Sequence, residues 1–197
     1  MKPLIVTISI LLMLLGTGPR CSWARQTIAF GPQETSIDGS IPYTVIGSYK
    51  ARFRDFKGRI VLDVKPLIIR SVDLEIEVKS LVSNSAWCDK LALSRRLLNA
   101  ARYPKIIFRS SQIIRDETGY KVKGFLEMHG ITRALTFPFD AVIMHDPINK
   151  RKVLVLHGTW VLDRKKFNIV WSRYLDHGGV VVGDDLTVSW SIRAAVL

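Results

Sequence analysis

The chain has 197 residues, 29 Lys and Arg against 17 Asp and Glu, a formal net charge of +12, two cysteines and 48% hydrophobic residues. That length suits a single domain, and the apolar share, with only 23% charged residues, excludes a disordered chain. Two cysteines cannot staple a disulfide framework, so stability has to come from a buried core.

The mean hydropathy of +0.17 owes much to the amino terminus. Pro3 to Gly18 is apolar or small throughout, follows the single Lys2 and leads into the small-x-small triplet Ser22-Trp23-Ala24. This is the pattern of a secretory signal peptide, and its core from Leu4 to Leu15 is short for a bilayer span. We expect residues 1–24 to be removed and residues 25–197 to form one periplasmic or secreted domain; an uncleaved anchor is the alternative. Arg20 directly before Cys21 argues against lipidation. Without Lys2 and Arg20 the remaining 173 residues carry 27 basic against 17 acidic side chains, a net charge of +10, with Cys88 as the only cysteine. An internal disulfide and a thiol redox pair are then excluded. No later run of about 18 apolar residues occurs, so the mature chain is expected to be soluble.

From there the dominant period is two. Ser40–Gly47 and Phe53–Val64 read as strands, followed by the clearest case, Ser71–Lys79, with Val72, Leu74, Ile76 and Val78 on one face and Asp73, Glu75, Glu77 and Lys79 on the other. Ala86–Ala101 breaks the period and reads as a single helix, with Ser85 as amino cap and Pro104 barring continuation. Lys105–Arg115 turns at Asp116–Gly119 into Tyr120–Met128, and His129-Gly130 turns again into Ile131–Met144. Lys152–Leu162 and Leu186–Ala194 complete eight strands. Between them, Asp163–Asp185 reads as a partly extended loop at one mouth, with Phe167, Ile169, Trp171 and Tyr174 alternating before Gly178-Gly179.

Eight antiparallel strands with short hairpins suit a closed up-and-down barrel, and a two-sheet sandwich has a similar strand count. Periodicity alone does not separate them. The inward positions are large and apolar: Val72, Leu74, Ile76, Ile106, Phe108, Leu135, Phe137, Phe139, Val188 and Trp190. Such a lining either binds a long apolar chain or simply packs as a core. Trp160, Phe167 and Trp171 are placed to flank a mouth.

Asn99-Ala100-Ala101-Arg102-Tyr103-Pro104-Lys105-Ile106-Ile107-Phe108-Arg109-Ser110 resembles the signature "d-a-x-x-Y-P-x-I-x-F-x-S" of the bacterial YceI-like polyisoprenoid-binding proteins. Further blocks agree in order: Gly124 to Arg133 resembles their "G-x-L-t-i-x-G-v-t-r", Asp163 to Trp171 their "n-R-x-d-F-G-i-x-W", and Val182-Gly183-Asp184-Asp185-Leu186 their closing "v-G-d-x-v". Gly58-Arg59-Ile60 with the strand that follows sits where the family has its second and third strands. The resemblance covers essentially the whole chain after residue 24. It implies a lipocalin-like, closed eight-stranded barrel with one inserted α-helix and a long apolar channel that holds an isoprenoid chain or quinone without transforming it. It implies no cofactor beyond that lipid.

Three departures bear on the ligand's polar end. The family's first strand, "H-S-x-v-x-F-x-v-x-H", corresponds here to Gly39-Ser40-Ile41-Pro42-Tyr43-Thr44-Val45-Ile46-Gly47, without either histidine. The Arg-Asp pair before the helix is Cys88-Asp89, and Asn168 stands where glycine is usual.

Signals for catalysis are sparse. His129, His145, His157 and His177 show no metal-ligand spacing, no G-x-S-x-G elbow occurs, and Asp116-Glu117 and Asp184-Asp185 sit in turns as solvated formers. A barrel enzyme with His129 or His157 as base is one alternative to lipid binding, and a structural or stress-related protein with a side-chain-filled barrel is another. Cys88 is either a thiol activated by a helix amino terminus or a half-buried cysteine. Arg95-Arg96, Arg102, Arg109, Lys150-Arg151-Lys152 and Arg164-Lys165-Lys166 are either outward solvated charges or a patch for an anionic membrane surface. No nucleic-acid motif accompanies them.

Overall fold

A computed structural model describes residues 25–43, 47–147, 150–172 and 182–196. The expected signal peptide, Tyr174, His177 and Gly178-Gly179 lie outside the described residues.

Eleven strands form in chain order: β1 (Arg25–Phe30), β2 (Thr35–Tyr43), β3 (Gly47–Phe53), β4 (Phe56–Asp63), β5 (Ile68–Glu77), β6 (Leu81–Ser83), β7 (Lys105–Asp116), β8 (Gly119–Met128), β9 (Ile131–His145), β10 (Lys152–Asp163) and β11 (Asp185–Val196). One α-helix, α1 (Ala86–Leu93), lies between β6 and β7, and 3₁₀ turns cover Val78–Ser80 and Arg164–Phe167. The strands join in one antiparallel sheet in the order β1-β4-β5-β7-β8-β9-β10-β11-β2-β3-β6.

The expected closed, lipocalin-like eight-stranded barrel is therefore corrected: the sheet is open, has eleven strands and curls through 298°. Each of the eight segments read from period two has its counterpart in a strand. The additional ones are β1, β3 and β6. β3 carries only a short apolar alternation, Tyr49, Ala51 and Phe53, between Ser48, Lys50 and Arg52, and β6 has only three residues. The β6 edge is blunted, because the Ser83 N–H donates to the Asp89 carboxylate on α1 at 3.0 Å.

The helix is shorter than expected. Ser85 does cap it, its hydroxyl accepting from Cys88 N, but the helix ends at Leu93 instead of Ala101. There the Ser94 hydroxyl donates to Leu91 O at 2.7 Å and accepts from Arg96 N, which offers the backbone a local alternative to continuing. The chain then winds through turns to Tyr103, with Asn99 in the left-handed region at φ 47°.

Local chemistry sets the hairpins. His129 and Gly130, with φ of 53° and 75°, make the two-residue turn that matches strand twist and pair Met128 with Ile131. At the β7–β8 turn, Asp116 accepts from Thr118 N at 2.8 Å and pairs with Lys121, and these partners hold its carboxyl down to about 2. A register shift between Ser110 and Gln112 bulges β7, and Ser110 Oγ takes the Val72 N–H at 2.8 Å.

Inside the curl, aromatic rings lie across glycines. A Cβ on Gly124 would sit 2.6 Å from the Phe108 ring and 2.5 Å from Arg109 O, one on Gly158 would sit 2.9 Å from the Trp190 ring, and one on Gly58 2.1 Å from the Phe30 ring. These strand glycines leave the space the rings occupy. Gly124→Ala should cost about 1–3 kcal/mol in urea unfolding. Gly31→Ala, whose Cβ would meet nothing closer than 3.6 Å, should stay within about 0.5 kcal/mol of the parent.

Candidate functional site: an apolar cavity

The inward side chains do not fill the curl. They leave a cavity of about 230 Å³ walled by α1 and by every strand except β4, with Tyr49, Ala51 and Phe53 of β3 among the lining. Two aromatic rows cross the wall. Phe108 lies 5.4 Å from Phe137, which stacks on Trp160 at 4.3 Å. Tyr120 lies 5.2 Å from Phe139, which lies 6.0 Å from Trp190. Pairing of β8 with β9 and of β10 with β11 sets these rows, because Phe137 and Phe139 are two apart on one strand, as Trp190 and Val188 are on another. The indole N–H groups of Trp160 and Trp190 are buried without an acceptor among the described residues.

Val72, Leu74, Ile76, Ile106, Phe108, Phe137, Phe139, Val188 and Trp190 all line this cavity. Leu135 does not; it is half-buried against the core beside the wall. Of the three residues expected at a mouth, Trp160 belongs to the wall, Phe167 is fully buried and does not reach the cavity, and Trp171 is half-buried under Arg96, whose guanidinium sits 6.0 Å from its ring. Sequence reading missed part of the wall: Leu91, Ala92, Leu97 and Leu98, from α1 and the turns after it, face the cavity at one end, as does Cys88. Leu91, Leu97 and Leu98 were visible as apolar residues of the helical segment, but nothing in their placement pointed to a cavity and not to a core.

Two polar anchors brace that end. Asp89 on α1 accepts from Tyr49 Oη at 2.7 Å, from Ser83 Oγ and from Ser83 N, tying the helix to β3 and β6. Burial alone would raise the Asp89 carboxyl, but these three donors outweigh it and hold it below its ordinary value. Burial, then the bond to Asp89, pushes the Tyr49 hydroxyl well above its own. The second anchor is Arg164, which the sequence grouped with Lys165 and Lys166 as outward charge, either solvated or part of a patch for an anionic surface, and which is 3% exposed. Its guanidinium donates to the carbonyls of Gly183, Ile169, Trp171 and Val182 and to Asp184 Oδ1, gathering the chain between β10 and β11. Burial pulls it below the ordinary arginine value, opposed by Asp184 and Asp163. Asn168, at φ 58°, ends the adjoining 3₁₀ turn in the left-handed region that glycine and asparagine tolerate, which accounts for the departure at that position.

Neither candidate base reaches the cavity. His129 Nδ1 lies 3.0 Å from Phe167 O with its ring 4.4 Å from Tyr103, and His157 sits on the outer face, 3.3 Å from Asp140. Among the described residues no three His, Cys, Asp or Glu side chains come together as metal ligands.

A curled antiparallel sheet around one apolar cavity, with a helix in its wall, defines the structural class. Residues 29–194 match the YceI-like domain, and the chain belongs to that family. UPF0312 proteins of Yersinia enterocolitica and Yersinia pestis are each 32% identical over 84 residues, 43% of this chain. That match spans 44% of the relatives' length. Among solved structures, Burkholderia cenocepacia BcnA has the same fold with a TM-score of 0.66 at 17% identity, covering 83% of this chain and 96% of that one. A YceI protein of Campylobacter jejuni matches at 0.63 and 14% identity, over 75% of this chain and 84% of that one. A polyisoprenoid-binding domain of Saccharophagus degradans matches at 0.60 and 9% identity, over 87% and 98%.

Two measurements check the anchors. Arg164→Met leaves four carbonyls without their donor and should cost about 3 kcal/mol or more in chemical unfolding. Because the Asp89 carboxyl is lowered by folding, its contribution is present above the unfolded value near about 4 and is lost as pH falls through the lower folded value. Asp89→Asn should therefore flatten the decline in stability as the pH falls below about 5.

Proposed function

We propose that this protein binds a long apolar lipid, an isoprenoid chain or a quinone-like molecule, non-covalently inside the curled sheet, and that it works as an exported carrier or store. The observation that carries the reading is the unfilled apolar cavity. An apolar guest there gives the lining side chains packing partners that they lack among themselves. Each buried five-carbon unit would add about 4 kcal/mol, so a few units offset the 4–15 kcal/mol or so that association costs. The likeness to a domain described as polyisoprenoid-binding supports the same ligand class. An open cavity also favours binding over a side-chain-filled structural barrel, and the positions of His129 and His157 away from it favour binding over turnover. Export is inferred from the apolar segment and the Ser22-Trp23-Ala24 triplet.

A hydrophobic dye should enter the cavity and be displaced by added polyprenol. Val72→Phe and Val188→Phe, which enlarge wall residues, should weaken displacement at least tenfold while the chain stays folded. A parent protein that takes up neither dye nor polyprenol would refute the reading. Amino-terminal sequencing of the protein from its producing cell should start at Arg25, and a start at Met1 would refute export by cleavage.

A further inference from the structure

The basic groups that the sequence offers as one patch fall at different places once the strands are placed. Lys150, Arg151 and Lys152 sit at the β9–β10 turn, Arg109 lies along β7, and Arg164 is buried and spent on carbonyls. At the opposite end, α1 and the turns after it wall the cavity. Trp87, one residue from the cavity-lining Cys88, is 65% exposed there. Arg96, on the same segment, stacks over Trp171, whose neighbour Val170 is 58% exposed. Lys90, Arg95, Arg96 and Lys166 are exposed at this end and form no ion pair among the described residues. The carboxylates of Asp89 and Asp184 beside them are taken up internally, by Tyr49 and Ser83 and by Arg164 and Lys165.

We propose that this end docks on an anionic bilayer surface, with Trp87 and Val170 entering the interface and Lys90, Arg95, Arg96 and Lys166 facing the headgroups. An indole prefers the membrane–water boundary, and a neighbouring group of unpaired cations supplies the attraction to anionic lipid. The occupant is fixed by the combination of exposed apolar side chains and exposed, unpaired cations on the same segments, which also wall the lipid cavity. The proposal rests on the lipid-binding reading, since docking here brings a bilayer lipid to the α1 end of the cavity.

The test is quenching of tryptophan emission by brominated phosphatidylglycerol vesicles at low salt, with brominated phosphatidylcholine vesicles as the neutral comparison. The parent chain should be quenched by the anionic vesicles and scarcely by the neutral ones, and Trp87→Phe should lose most of the quenching. Replacing Arg95 and Arg96 together by Ser should raise the lipid concentration for half-maximal quenching by more than about tenfold, each basic residue contributing a factor of about five. Substituting Lys150 and Lys152 should leave it unchanged. Undiminished quenching in Trp87→Phe overturns the proposal, because another segment then makes the contact. So does quenching that falls with the charge changes but not with Trp87→Phe, because plain polyanion attraction then suffices. Dye displacement by polyprenol in solution, measured on the parent and the same variants, separates the readings: a parent that displaces dye but is not quenched by anionic vesicles refutes this face alone, and displacement absent from the parent refutes the cavity reading.

Discussion

The structure depends on rings laid across backbone that has no side chain to meet them. Phe108 over Gly124, Trp190 over Gly158 and Phe30 over Gly58 hold large aromatic groups flat against the sheet wall, where a Cβ would push them inward. Pinned in this way, and with Phe108 and Trp190 linked through Phe137 and Phe139 into two rows, the rings stand as walls and do not collapse into a filler. A sheet with this many inward apolar residues would otherwise gain by closing on itself, since every methylene removed from water or from a void is stabilising. The open volume is thus a property specified by particular residues.

Polar groups govern one end of that volume. α1 contributes apolar side chains to the cavity, yet eight residues with one cap make a weak helix in isolation. Its seat comes from Asp89, which satisfies a backbone N–H on β6 and holds Tyr49 of β3. Arg164 does the equivalent for the segment between β10 and β11, collecting the carbonyls of Trp171 and Val182. A buried arginine is costly unless its donors are used, and here its three nitrogens all are. The two anchors hold the end of the cavity where the exposed Trp87 and the unpaired cations lie.

Much of this was legible in the chain, unevenly. The alternation in Ser71–Lys79 and Ile131–Met144 specified both strand and face, because the pleat has a period of two, and the lining on β5, β7, β9 and β11 followed from it with the exception of Leu135. Closure was not legible, since an edge is decided by what the last strand meets. β6 meets a carboxylate from α1, a tertiary contact that leaves no periodic trace. The helix end was missed because Ser94 acts through its hydroxyl while the apolar spacing runs on to Ala101. Arg164 was misread as a surface charge because composition cannot show that carbonyls surround it; its place in the Asp163–Trp171 block was the one available signal.

The central claim is that the cavity holds a lipid. A native mass spectrum of the protein isolated from its producing cell tests it most directly. A population heavier than the chain by the mass of one apolar lipid is expected, released on mild activation and shifted or lost in Val72→Phe. A spectrum of the bare chain alone, unchanged after incubation with polyprenol, would contradict it.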